Sequence, residues 1–243
     1  VKPDVGSLRS VVSPFFRGWS IRGCGDAIVT QMLVRSVSLV VVAKLHNPSI
    51  LNHDFLLHNK VIDESWGRPE DFISTPPLSA ISYPKLRTRI TCQEQRLQFD
   101  LDAPAGPEMT HLICDAIRRY VEILKYVNYI AFGMNFQFLV PVPDPVNVLT
   151  NQLLPTRIAN LGLPTFDVES RLKIYPETGR PVSLTFSKGQ MQEGGPFNAI
   201  QISTNSHFDL MDGLGELVNK LKSVDSIQAE VQSFAIKILG DEP

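Results

Sequence analysis

Three histidines lie close together in the chain, His46, His53 and His58, with Asp54 beside the second. Neutral imidazole is a common metal ligand, so this segment is the first place to look for a metal site. Helical zinc pairs place their ligands four residues apart on one face, as in H-E-x-x-H. Here His53 and His58 are five apart with no glutamate in that frame, and His46 is separated from His53 by Pro48. These residues support a metal-dependent hydrolase only as a third reading, and solvated loop histidines are the simpler expectation. Asp100 and Asp102 could share a divalent cation on one strand face, but the spacing equally describes a hydrated strand end. His207, Asp209 and Asp212 form another cluster, in which Asp212 is expected to cap the last helix. Arg87, Arg89 and Arg96 could meet phosphate, yet Glu94 and Asp100 are interleaved with them, so nucleic acid is not the expected partner. No G-x-S-x-G elbow, Walker A loop or G-x-G-x-x-G follows a strand, and Gly23-Cys24-Gly25 is half a dinucleotide signal at most. The sequence therefore assigns no catalytic residue and calls for no cofactor.

The chain has 243 residues, with 43% hydrophobic and 20% charged residues and a net charge of −2. It is too apolar for a disordered protein and lacks the basic excess of a dedicated nucleic-acid binder. Its 18 prolines and 15 glycines follow no period, which excludes collagen and simple repeats. Cys24, Cys92 and Cys114 are odd in number and contain no C-x-x-C pair, so free thiols in a reducing cytoplasm are expected. The most apolar stretch, 33–45, carries Arg35 and Lys44 and falls short of the ~20 residues of a membrane span.

Regular patterning starts just after Met32. Residues 1–31 read as a leader or an artefactual extension, and 32–243 as a single domain with two possible lobes, 32–143 and 144–243. Apolar residues on both parities of 34–46 suggest a central strand. Residues 49–79 read as irregular, with a short helix around 49–59 and a strand possible at 78–84. Leu86, Thr88 and Ile90, then Leu97, Phe99 and Leu101, alternate with polar residues and describe two strands with one wet face. Gly106-Pro107-Glu108 opens a helix whose stripe is Ile113, Ile117, Tyr120 and Leu124. Ile130, Phe132, Met134, Phe136, Phe138 and Val140 then hold one strand face, with Tyr129, Ala131, Gly133, Asn135 and Gln137 on the other. Asp144-Pro145 begins a short helix. Strands follow at 166–174, 182–186 and 197–204, with a turn at 176–179, and one long helix runs from about Asp212 to Leu239, stopped by Gly240.

Turns this short cannot carry parallel crossovers. The order predicts an α+β fold: antiparallel sheet built from two loosely similar halves, each with strands followed by a long helix packed on one sheet face. Ile73-Ser-Thr-Pro-Pro-Leu-Ser, Tyr129-Ile-Ala-Phe-Gly-Met-Asn-Phe and Asn205-Ser-His-Phe-Asp-Leu resemble a sporadically distributed family of uncharacterised bacterial proteins. The family pattern is an aromatic strand with a glycine and an asparagine, then a late aromatic-acidic strand end. It carries no established activity, so the resemblance implies no catalytic residue.

The reading that follows is a soluble cytoplasmic protein that works by binding, to itself or to another protein, and not by catalysis. Membrane association is not expected. The second reading is a small apolar-ligand binder in which Phe132, Phe136 and Phe138 line a cavity between sheet and helix. For self-association, the expected contact is the weakly polar face carrying Val40, Val42, Ala131, Gly133 and Leu139.

Overall fold

The computed structural model describes residues 32–102, 106–154, 168–176, 180–191 and 197–240. The two longest apolar alternations become its central pair, β1 (Leu33–Ala43) and β6 (Tyr129–Pro141), which run antiparallel. Outside β1 lie β5 (Arg96–Asp102), β4 (Thr88–Gln93), β3 (Leu78–Tyr83) and β2 (Asp71–Thr75). Outside β6 lie β9 (Phe197–Asp209), β8 (Val182–Met191) and β7 (Ser170–Ile174). All eight pairings are antiparallel and make one nine-stranded sheet. The fold is α+β with an antiparallel sheet.

Five α-helices occur among the described residues: α1 (His53–His58), α2 (Pro107–Ile123), α3 (Pro145–Leu153), α4 (Gly213–Lys222) and α5 (Val224–Leu239). Their starts follow local chemistry. The Asn52 side chain accepts from the Phe55 N–H at 2.8 Å, and Asp144 accepts from Asn147 N–H at 3.0 Å ahead of Pro145. Their apolar stripes meet one face of the sheet. Val37, Leu39 and Val41 of β1, Phe99 of β5 and Phe132, Phe136 and Phe138 of β6 are fully buried there with Ile117 of α2 and Leu217 of α4. The Phe136 and Phe138 rings stack with centroids 6.0 Å apart.

Several details differ from the periodicity. The long C-terminal helix is two helices. Ser223 Oγ donates to the Lys220 carbonyl at 2.9 Å, and this local bond competes with the helical ladder where α4 ends and α5 begins. Gly240 does stop α5, in the left-handed conformation at φ 86°. Asp212 occupies the position before α4 but makes no side-chain cap; Glu216 instead reaches back and accepts from the Met211 N–H at 2.9 Å. β2 lies inside the stretch read as irregular. All five of its residues are exposed on an edge strand, so no burial pattern marks it.

The pairing of β1 with β6 slips twice. Val42 faces Ala131 while Ala43 faces Tyr129, so Ile130 is an extra residue, a β-bulge. The bulge reverses the parity expected for the start of β6. Tyr129 turns into the core, donating its hydroxyl to the Leu124 carbonyl at 3.1 Å, and Ile130 is left 39% exposed. At the other end Val34 faces Phe138 and Ser36 faces Gln137, which makes Arg35 the extra residue on β1. The 1–31 segment and the turn read at 177–179 lie outside the described residues, as do Phe166 and Asp167 of the strand read from 166.

Phe136 sits at the centre of this packing. Phe136→Ala is expected to cost about 3–5 kcal/mol, read as a lowered midpoint in a reversible urea melt. A loss below about 1 kcal/mol would contradict burial of this ring in a close-packed core.

Candidate binding face

The histidine segment does not converge. His46 is 2% exposed beside the Tyr129 ring. His53 Nδ1 lies 3.1 Å from the Tyr83 hydroxyl oxygen, and His58 ends α1 facing solvent. Among the described residues, no group of three His, Cys, Asp or Glu side chains is placed to hold a metal ion. Phe132, Phe136 and Phe138 are all fully buried against the helices, so the aromatic row fills the core side of the sheet.

The other candidates are held at the surface. Asp100 accepts from Gln98 Nε2 at 2.6 Å, while Asp102 is exposed at the end of β5. His207 Nε2 lies 3.2 Å from Asp209 Oδ1, both exposed. Arg89 and Arg96 are exposed on β4 and β5, and Arg87 precedes β4 in the left-handed region at φ 49°. Cys92 and Cys114 are buried free thiols, and burial pushes them up to about 11 and about 12. Neither has the exposed, electropositive setting of a reactive cysteine.

What the individual residues do not provide, the uncovered sheet face does. Strand register lays its side chains out in rows that cross the strands. One row reads Asp71, Ser82, Arg89, Asp100, Ser38, Asn135, Asn205, Ser183 and Lys173, from β2 to β7. The next reads Asp102, Ser36, Gln137, Ser203, Thr185 and Arg171. Both rows are wholly polar, and their central members are short amides and hydroxyls. Asn205 donates to Asn135, whose own Nδ2 donates to the Ser38 carbonyl at 3.3 Å, and Gln98 Nε2 donates to Ser38 Oγ at 3.1 Å. A chain of side-chain bonds thus fixes the middle of the face.

A scan against models of known families finds no match, and no curated protein matches the chain. Its function has to be argued from the face itself.

Over β6, β9, β8 and β7 that face sinks into an open groove of about 410 Å³. Gln137, Ser203, Thr185 and Arg171 line it from one row, and Asn135, Asn205 and Ser183 from the other. The apolar patch expected on this face is largely closed within the chain. Val40 is 7% exposed and lies over Gly133, while Ala131 and Leu139 are 6% and 2% exposed. Besides Phe72 and Ile73 on the edge strand β2 and Tyr175 after β7, large exposed apolar residues gather at the end of the sheet where β1 and β9 finish and β6 begins. Leu45 is 66%, Tyr126 90% and Met211 93% exposed there.

Sequence reasoning marked Asn135 and Gln137 only as the far side of an apolar strand. The available signal was the alternation of Ser, Asn, Gln and Thr in β1, β6, β8 and β9; register between distant strands was needed to join them.

Burial holds the His46 pKa below the ordinary 6.5. The unfolded chain takes up a proton near that pH which the folded chain takes up only at lower pH, so stability falls as pH drops below the mid-6 range. Thermal melts between pH 7.5 and 5.5 are expected to show this loss, at most about 1.4 kcal/mol per pH unit from this group. His46→Phe flattens the slope; an unchanged slope would mean that His46 is protonated in the folded state.

Proposed function

We propose that the protein works by recognition and not by catalysis, as a soluble cytoplasmic binding protein whose open sheet face is the contact surface. The observation that carries this reading is the pair of polar rows running across the strands. Side chains such as Gln137 and Ser203 make no side-chain hydrogen bond to other described residues. Short hydroxyls and amides on a rigid sheet supply adaptable hydrogen bonding at little conformational cost. The two-halves reading supports the same view. The strand order places a meander on each side of the β1–β6 pair, so two lobes, 32–143 and 144–243, would share one continuous face. The likeness to sporadic bacterial proteins belongs to this proposal as well.

A face kept for binding gives up stability that better strand formers would provide. Gln137→Val and Ser203→Thr are therefore expected to leave the fold intact and raise its stability by a few tenths of a kcal/mol, measured by urea melts. Destabilisation above about 1 kcal/mol by both changes would make these residues structural and remove the reading.

Self-association is the second arm, and the exposed end of the sheet favours it. Leu45 and Tyr126 stand beside Lys44 and Lys125, whereas Met211 stands between Asp209 and Asp212. Two copies related by a two-fold axis could set the basic side of one against the acidic side of the other, covering the apolar residues of both. Sedimentation equilibrium at micromolar concentration is expected to give twice 27.1 kDa. Tyr126→Ser with Met211→Ser should return it to the monomer mass. A monomer for the unaltered chain would remove this arm.

A further inference from the structure

The open groove has a direction. Its two rows cross four strands, and neighbouring strands lie about 4.8 Å apart, so each row is about 14 Å long. Along a strand, alternate residues are about 7 Å apart, which sets the separation between rows. The result is a grid two side chains wide and four long. On β6, β9 and β8 every member is a neutral amide or hydroxyl: Gln137, Ser203 and Thr185 in one row, Asn135, Asn205 and Ser183 in the other. At β7 both rows end in a cation: Arg171 lines the groove, and Lys173 stands just outside its lining, two residues on along the strand.

These two cations are free to take an anion. Arg171 Nε donates to Thr185 Oγ1 at 3.4 Å, a neutral partner that steadies the guanidinium and leaves its charge uncompensated. Lys173 Nζ lies 5.5 Å over the Tyr175 ring. Neither has an acidic partner among the described residues, and no carboxylate lines the groove. Glu169 precedes Arg171 by two residues on β7's approach, so an anion is best placed between Arg171 and Lys173, on the side away from Glu169. A guanidinium fork is suited to the two oxygens of a carboxylate or phosphate.

The remainder of the groove asks for a ligand with hydrogen-bonding groups along its whole length. A peptide would bring apolar side chains for which this groove has no apolar pocket. A bare anion would leave Gln137, Ser203 and Ser183, which have no side-chain partner among the described residues, unused. We infer that the groove binds a sugar bearing one anionic group, a carboxylate or a phosphate, with the anion at Arg171 and Lys173 and the hydroxyls over β8, β9 and β6. This rests on the reading of the open face as a binding surface, and gives it a ligand class. The groove volume falls within the usual span of small-molecule sites.

The test is calorimetric and NMR titration of the full chain with D-glucuronate and with glucose 6-phosphate, which distinguish carboxylate from phosphate. Glucose, acetate and inorganic phosphate serve as controls. At least one anionic sugar is expected to saturate with Kd near about 1 mM, with glucose and the bare anions at least about tenfold weaker. Arg171→Gln, an exposed substitution with folding checked by circular dichroism, should bring the anionic sugar down to the level of glucose. Gln137→Val should weaken it severalfold. If neither anionic sugar saturates, or if acetate or phosphate binds as well as they do, the inference is overturned. The stability effects of Gln137→Val and Ser203→Thr separate the two levels. No sugar binding with stabilised variants removes the ligand class alone, and no binding with destabilised variants removes the binding face too.

Discussion

Everything in this molecule hangs on the pairing of β1 with β6. These strands are far apart in sequence yet form the middle of the sheet, with β5 carrying one wing and β9 the other. The apolar faces of the pair, Val37, Leu39 and Val41 beside Phe132, Met134, Phe136 and Phe138, are the floor on which the helices pack. Fixing this pair fixes the register of both wings, since each outer strand pairs in turn with its neighbour.

One-sided burial follows from that floor. A sheet covered by helices on one face must offer the other to something else, and side-chain parity transfers the choice to every strand at once. In this chain two adjacent rows of the open face are polar throughout. A serine, asparagine or glutamine there does not contribute to the core, and several are not used in internal hydrogen bonds. That distribution leaves short polar side chains in line across the strands. Arg171 and Lys173 give the surface polarity at one edge, while the sheet end bearing Leu45, Tyr126 and Met211 offers a separate apolar contact.

The bulges show how a single extra residue redirects chemistry. At Ile130 the insertion sends Tyr129 inward, where its ring lies beside the buried His46, and pushes an isoleucine toward solvent. At Arg35 it sets Val34 opposite Phe138, against the core. Local strand irregularity, placed at both ends of the central pair, thus sets which side chains turn toward the core there.

The amino-acid order alone determined the elements with strong periods: β1, β4, β5, β6, α2, α3 and the Gly240 stop, and with them the α+β class and the antiparallel sheet. Those signals are local, because a residue's face depends on neighbours two or four positions away. It also placed Phe132, Phe136 and Phe138 on one strand face, although their burial against helices was decided by how the layers closed. Only the tertiary structure decided the order of the strands, the bulges at Arg35 and Ile130, the break at Ser223, the exposed edge strand β2 and the isolation of His46 from His53 and His58. Each depends on partners distant in sequence or on exposure, which periodicity cannot encode. The groove is the clearest case: Gln137, Ser203, Thr185 and Arg171 come from four strands and are unremarkable singly, and only the register between those strands sets them in line.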